Sequence, residues 1–390
     1  MFKVVLWDYT GESANWAKTF LKSGVEIIRT LRPNDADQAE VIMRGDWNFV
    51  LIFEKGEREI FNEIFKTMQA MKFSTDNIVF ANDFDNWLNN PAAVYALLKP
   101  EICDELYRHW TLFNQRRWND YATCTADKIS YISPSKDPLR MPYMFFSGVN
   151  WATNDMKRFH ELSAQCYHVD DSAGYFLDLG ANIGTTGIYF IKNIAPNLKL
   201  LAFEPDPENF KMHRVNIILN DLDATTTLVN CGLGNDTREL MLYRNGPNPG
   251  SIGFIKHEQS TPITTIKIIA LDTYLAENKI AAQDVKYIWI DTEGFEPQVL
   301  LGAKNLISEN PAPIFMECNL RAWDESGLFE EMMTLLEAHY THFVLFLGGN
   351  ATENRNEIMF PIEVLRTLKR PNNTLGQLGD IFLIKEGLIA

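Results

Sequence analysis

The 390-residue chain has no long apolar run: nothing reaches the ~18 consecutive apolar residues of a membrane-spanning helix. Its first residues meet Asp8 too early for a secretory leader. Cysteine is sparse. Cys103, Cys124, Cys166, Cys231 and Cys318 are far apart and never form C-x-x-C, which argues against a disulfide framework or a zinc site and fits a reducing cytoplasm. Positive charge is also short, with 36 Lys and Arg against 51 Asp and Glu for a net charge of -15. No basic run exceeds Arg116-Arg117, so the clustered cations that a nucleic-acid backbone needs are missing. That balance is compatible with neutral sugars, small metabolites and cationic ligands alike. Solenoid-type repeats and low-complexity tracts are absent too.

What is present is an ordinary globular composition, 46% hydrophobic and 22% charged, in a chain long enough for two unequal domains. Residues 3–7, 25–31, 49–53 and 78–81 are short apolar runs expected as strands. Ala14, Ala17 and Leu21 share a helical stripe that stops at Gly24, and Ile60, Ile64, Met68 and Met71 share another. Their alternation predicts a small parallel α/β domain over 1–90.

Residues 91–150 are expected to connect two domains. Their first part, 91–118, is helical in character, and 128–132 reads as a strand. Pro134, Pro138 and Pro142 then predict an irregular, lid-like segment over 133–150. Tyr143, Phe145, Phe146 and Trp151 fit either a cover over a ligand or, more commonly, buried core.

Over 151–390 the series is clearer. Helices at 155–167, 186–193, 208–219 and 298–307 alternate with apolar strands at 175–179, 199–203, 226–230, 285–290 and 314–317. An insertion with turn residues at 245–250 precedes strand 285–290. A helix with Phe329, Met332, Met333 and Leu336 at core spacing leads to two last strands, 343–347 and 381–384. This order predicts a Rossmann-like, doubly wound α/β sheet closed by a C-terminal antiparallel strand pair.

The first βα turn of that sheet reads Asp178-Leu-Gly-Ala-Asn-Ile-Gly184. Gly180 and Gly184 permit a tight turn and close approach of a ligand, though alone they mark only a common strand-to-helix turn. The spacing differs from the G-x-G-x-x-G of dinucleotide binders. The leading carboxylate would repel a pyrophosphate but suits a ligand with an ammonium and a sulfonium, such as S-adenosylmethionine.

The next strand ends at Glu204-Pro205, at about the ~20-residue distance where an acid can accept from both ribose hydroxyls. A third candidate is Ile290-Asp-Thr-Glu-Gly-Phe-Glu296. Its three acids oppose one another's ionisation unless a cation, substrate hydroxyls or backbone donors compensate. Glu296 fits a helix-start acid, which leaves Asp291 and Glu293 as the functional candidates.

These motifs occur together with the Asn216 and Asn220 pair, Leu271-Asp272, Leu300-x-Gly-Ala303 and Glu317. In this order they resemble the FkbM family of S-adenosylmethionine-dependent methyltransferases over roughly 175–319. Thr292 departs from the pattern, in which a branched apolar residue is more usual, and 1–90 lies outside it. The resemblance implies O-methylation of a hydroxyl on a sugar, glycan or related metabolite. Asp178, Gly180, Ala181, Asn182, Gly184, Glu204 and Pro205 would hold the methyl donor. Asp291 or Glu293 would act as base, or these acids would bind sugar hydroxyls or a divalent cation, for which the sequence offers no complete ligand set.

Two other readings stand beside this one. A nicotinamide-dependent oxidoreductase is disfavoured by the glycine spacing, and a degenerate methyltransferase fold serving as a binding module by the intact Asp178, Glu204 and Asp291. Methylation of nucleic-acid bases fits poorly, because Asp291-Thr-Glu-Gly lacks a Pro-Pro-aromatic sequence and Cys318 has the context of a core cysteine. In the N-terminal domain, Trp7-Asp-Tyr-Thr-Gly-Glu12 keeps only Gly11 of a nucleotide-binding glycine set. That domain is expected to be structural, to recognise the acceptor, or to make a contact in a homo-oligomer.

Overall fold

The computed structural model describes residues 2–8, 11, 13–32, 35, 40–41, 48–53, 78–80, 97–99, 117–118, 121–134, 140–245, 252–257, 260–347, 356–368 and 377–385. The expected helix of Ile60, Ile64, Met68 and Met71, most of 91–118 and most of the turn at 245–250 lie outside them. The chain divides into two compact units, 1–115 and 116–390.

In the first unit, β1 (Phe2–Asp8), β2 (Val25–Leu31), β3 (Phe49–Phe53) and β4 (Ile78–Phe80) form a parallel sheet in the order β2-β1-β3-β4. Val4, Val5, Leu6, Val50, Leu51 and Ile52 are buried without alternation, as strands covered on both faces require. Before the helix Ser13–Phe20, Gly11 N and Ser13 N donate to the two Asp8 carboxylate oxygens at 2.8 and 3.2 Å. Donors of the kind that hold phosphate at a helix start are here met by the chain's own acid.

The second unit opens with an antiparallel sheet of β5 (Arg117–Trp118), β6 (Tyr121–Ala126) and β7 (Ile129–Pro134), where the sequence predicts only one strand. The expectation of an irregular segment over 133–150 is corrected in part, because Arg140–Ser147 is a helix. Pro142 is its third residue; first-turn N–H groups have no intrahelical acceptor, so proline costs little there.

The helix Thr153–Tyr167 leads into β8 (Tyr175–Leu179), β9 (Lys199–Phe203) and β10 (Thr226–Val229), with helices Thr185–Tyr189 and Pro207–Leu219 between them. The insertion forms its own sheet of β11 (Gly232–Leu233), β12 (Arg238–Arg244), β13 (Ile252–Gly253) and β14 (Thr261–Ile269), in the order β11-β14-β12-β13. The chain then returns through β15 (Val285–Ile290), β16 (Ile314–Asn319), β17 (Tyr340–Leu347), β18 (Asn356–Pro361) and β19 (Gln377–Lys385).

Among the described residues the main sheet runs β10-β9-β8-β15-β16-β19-β17-β18. It is parallel from β10 to β16, and β19 enters antiparallel between β16 and β17. The expected closing antiparallel pair is present, extended by β18. Strand order reverses between β8 and β15, and the crevice beyond their C-terminal ends is where such sheets hold ligands.

The expected helix over 298–307 is two helices, Glu296–Leu301 and Lys304–Glu309. Gly302 lies so close to the Gly234 carbonyl that a Cβ would stand 1.9 Å from its oxygen. Asp272 then starts the second helix by accepting from Asn305 N and Leu306 N at 2.8 and 3.0 Å. Strand periodicity sorts the core between the two faces of the main sheet. On one face Phe159 packs on Tyr287, Trp289, Phe315 and Phe382; on the other, Leu177, Leu179, Ile288 and Ile290 join Val299, Leu300, Met332 and Met333.

Candidate active site

The turn after β8 is built from left-handed backbone at Gly180 (φ +92), Asn182 (φ +50) and Gly184 (φ +87). Gly180 N and Ala181 N donate to Phe203 O at 3.1 and 2.9 Å, which ties the turn to the tip of β9. Asn182 N and Asp206 N each donate at 2.7 Å to one Glu204 carboxylate oxygen. A carboxylate has about four lone-pair sites, so Glu204 can brace the turn and still accept from a ligand. Pro207 sits at the start of the next helix, where Asp206 accepts from Glu208 N and Asn209 N at 3.0 and 2.8 Å.

A cleft at the switch point is lined by Gly180, Ala181, Asn182, Glu204 and Pro205, and also by Asp291 and Glu293. Of the predicted site residues only Asp178 and Gly184 do not line it. Asp178 is 1% exposed behind the turn and accepts from Gly187 N at 2.9 Å. Gly184 packs on buried His213, whose ring would meet a Cβ there at 2.4 Å. Burial lowers the His213 pKa to about 3 and keeps it neutral.

Arg140, Asn209 and Phe254 also line the cleft and escape the sequence reading. For Asn209 a signal exists, since Asp206-Pro207 marks the helix start that places it. Phe254 follows β13, in an insertion whose strands carry no clear alternation. Trp151 does line the cleft, Phe145 is half-buried, and the side chains of Tyr143 and Phe146 lie outside the described residues.

The turn after β15 is fastened by Glu296, which is fully buried rather than solvated. Its Oε1 accepts from Thr292 N, Thr292 Oγ1 and Gly294 N at 3.0, 2.9 and 3.2 Å, and its Oε2 from Trp323 Nε1 at 2.8 Å. Thr292, the departure from the family pattern, thus supplies a donor that an apolar residue lacks.

Burial is the largest cause of the rise at Asp178, Glu204, Asp291 and Glu293, and their neighbours differ. Burial pushes Asp178 up to about 7, with Asp291 adding and the Gly187 N–H opposing. Burial likewise pushes Glu204 up to about 8, opposed by the Asp206 N–H and reinforced by the Asp206 charge. Asp291 and Glu293 are raised first by their depth among protein atoms. Asp380 and Glu296 add to the rise at Asp291, Asp291 and Glu296 to that at Glu293, and Arg140 opposes both. The Asp291 side chain stays accessible from the cleft, so water tempers its rise. Among the described residues no group of three or more His, Cys, Asp or Glu side chains is disposed to hold a metal ion.

The sheet order, with its glycine turn and strand-tip acid, defines a Rossmann-like methyltransferase fold. Residues 178–342 match the family model described as "Methyltransferase FkbM domain", so this segment is an FkbM methyltransferase domain. Among curated relatives, "Methyltransferase sdnD" of Sordaria araneosa is 24% identical over 241 residues, covering 54% of this chain and 85% of that protein. "Methyltransferase 1" of Beauveria bassiana is 26% identical over 196 residues, covering 45% and 75%. A solved structure of methyltransferase FkbM from Methylobacillus flagellatus KT aligns at 15% identity and TM-score 0.36, covering 92% of this chain and 89% of that one.

Proposed function

We propose that the chain is an S-adenosylmethionine-dependent O-methyltransferase acting on a hydroxyl of a sugar, glycan or related metabolite. The observation that carries this reading is one cleft lined by two chemically different sets of residues: Gly180, Ala181, Asn182 and Glu204 from the glycine turn and the tip of β9, and Asp291 and Glu293 from the turn after β15. The first set suits the donor. Glu204 has capacity left for two ribose hydroxyls, and the backbone of Gly180, Ala181 and Asn182 lines the cleft beside it. Asp178 supports the turn from behind and adds negative potential for a cationic ligand.

The bound donor supplies an electrophilic methyl group on a positively charged sulfur. With the donor held by the glycine turn and Glu204, the acceptor oxygen would bond to the methyl carbon as the carbon–sulfur bond breaks, its electron pair returning to sulfur. Asp291 or Glu293 takes the hydroxyl proton. Alignment of the two reactants can supply ~7–11 kcal/mol of the barrier, and a positioned base a further ~10²–10⁴ in rate. No divalent cation is needed for this balance. A reducing compartment such as the cytoplasm suits a chain whose five cysteines are far apart in sequence and never form C-x-x-C.

The test is a methyl-transfer screen with labelled donor against a sugar and glycolipid panel, followed by Asp291→Asn and Glu293→Gln singly. Turnover near wild type in both variants would sink the base assignment. Titration with S-adenosylhomocysteine and with NAD separates the rivals, since binding only NAD favours an oxidoreductase and binding neither a degenerate module.

A further inference from the structure

Residues 292–295 form a tight turn in which Phe295 N donates to Thr292 O at 3.2 Å. Glu293 has φ +55 and Gly294 φ +93, the pattern of a type I′ turn. A left-handed φ is unfavourable for a residue with a Cβ, so something must hold Glu293 there. The carboxylate of Glu296 does so by bonding the backbone on both sides of it, at Thr292 N and Gly294 N. The helix Leu320–Glu325 closes the arrangement from behind. Ala322 Cβ would lie 2.6 Å from a Cβ on Gly294, and Trp323 Nε1 bonds the other Glu296 oxygen at 2.8 Å.

We propose that Thr292 and Trp323 are positioning residues for the acceptor side of the reaction: through their hydrogen bonds to the Glu296 carboxylate they fix the turn that presents Asp291 and Glu293. This rests on the reading that Asp291 or Glu293 takes the acceptor proton. Four donors on a buried carboxylate favour its ionised form against the burial that opposes it. The groups that interact with it are Asp291 and Glu293 on its own turn and Glu317 and Cys318 on β16; Asp380 on β19 acts on Asp291, and Arg140 of the helix Arg140–Ser147 acts on Asp291 and Glu293. Only Arg140 among them is cationic. Burial raises the Glu296 pKa and its donors oppose that rise; in its ionised form Glu296 makes Asp291 and Glu293 hold protons more tightly, as a base must. Losing one of the four donors raises the proton affinity of Glu296, removes part of its charge, and weakens the base above it.

Magnetic resonance on the protein saturated with S-adenosylhomocysteine tests this without knowledge of the acceptor. The Trp323 indole N–H signal, one of nine tryptophans in the chain, is assigned by its loss in Trp323→Phe. The carboxyl signals of Asp291 and Glu293 are assigned with Asp291→Asn and Glu293→Gln. In Thr292→Val, which keeps the side-chain shape and removes the hydroxyl donor, the Trp323 signal moves and the titration midpoints of Asp291 and Glu293 fall by about 0.5–1 pH unit. Trp323→Phe lowers them in the same direction, while affinity for S-adenosylhomocysteine stays within about two-fold in Thr292→Val. Unchanged midpoints in both variants overturn the positioning role. If they are unchanged while Asp291→Asn or Glu293→Gln is inactive in methyl transfer, only the positioning role fails. If Asp291→Asn and Glu293→Gln both remain active, the base reading fails and the proposal falls with it.

Discussion

The Asp291 carbonyl oxygen fills the space beside Gly180: a Cβ on Gly180 would lie 1.9 Å from it. Asp291 N also donates to Leu179 O at 2.9 Å, so the ends of β8 and β15 are locked where the strand order reverses. Under the proposed function this contact sets the spacing between the donor-binding turn and the acids that face the acceptor. Gly180→Ala would add a backbone clash to an already left-handed φ of +92. The variant is expected to lose about 2 kcal/mol or more of stability and at least ~10-fold in affinity for S-adenosylhomocysteine. Denaturant unfolding and calorimetry check both, and an alanine variant as stable and as tight as wild type would contradict the account.

Glu204 carries two loads, and its variants separate them. Glu204→Ala leaves Asn182 N and Asp206 N without this acceptor and, under the proposed function, removes the contact to the donor's ribose. Affinity for S-adenosylhomocysteine is expected to fall ~10–100-fold, about 1.4–2.7 kcal/mol. Glu204→Gln keeps one carbonyl acceptor and is expected to fall less far. Calorimetry showing unchanged affinity in Glu204→Ala removes this residue from the donor site.

The elements that could be read from sequence are those with a local cause. Strands buried on both faces, such as Val285–Ile290, announce themselves as short apolar runs, and the turn 178–184 by the glycines its left-handed backbone requires. Long-range causes left no such mark. The break at Gly302 depends on the Gly234 carbonyl, and the fastening of Glu296 on Trp323, 27 positions away. The helix Arg140–Ser147 was hidden because Pro142 reads as a breaker unless its position in the first turn is known.

The raised acids give the domain an unusual pH response. Asp178 and Glu204 are held at about 7 and about 8 in the fold, against ordinary values of 3.8 and 4.5. Between about pH 4 and 8 the folded protein keeps protons that the unfolded chain has released. Stability of the ligand-free protein should therefore fall as pH rises through that window, each group contributing up to about 1.4 kcal/mol per pH unit. Cationic S-adenosylmethionine favours the ionised acids, so its affinity should rise from pH 6 to 8 with proton release. S-adenosylhomocysteine, without the sulfonium charge, should show a shallower slope. Calorimetry in two buffers of different ionisation heat measures the protons; a pH-independent affinity for the methyl donor would rule this coupling out.

Asn216 and Asn220 act on β7 as a neighbouring strand would. The Asn216 amide accepts from Ile132 N at 2.7 Å and donates to Ile132 O at 3.1 Å, while Asn220 accepts from Ser130 N at 3.1 Å and donates to Ser130 O at 2.8 Å. Spaced by one helical turn, the two side chains meet alternate residues of the strand. Asn216 also donates to Ile183 O at 2.8 Å, inside the turn 178–184 that the proposed function assigns to the donor, and Asn220 does not. Both alanine variants should loosen the hairpin by about 1–3 kcal/mol and speed hydrogen exchange at the Ser130 and Ile132 amides. Only Asn216→Ala should also weaken S-adenosylhomocysteine binding, by roughly 3–10-fold, because Ile183 O loses a buried partner. Equal effects of the two variants on that affinity would mean that the hairpin as a whole, rather than the bond to Ile183, supports the donor-binding turn.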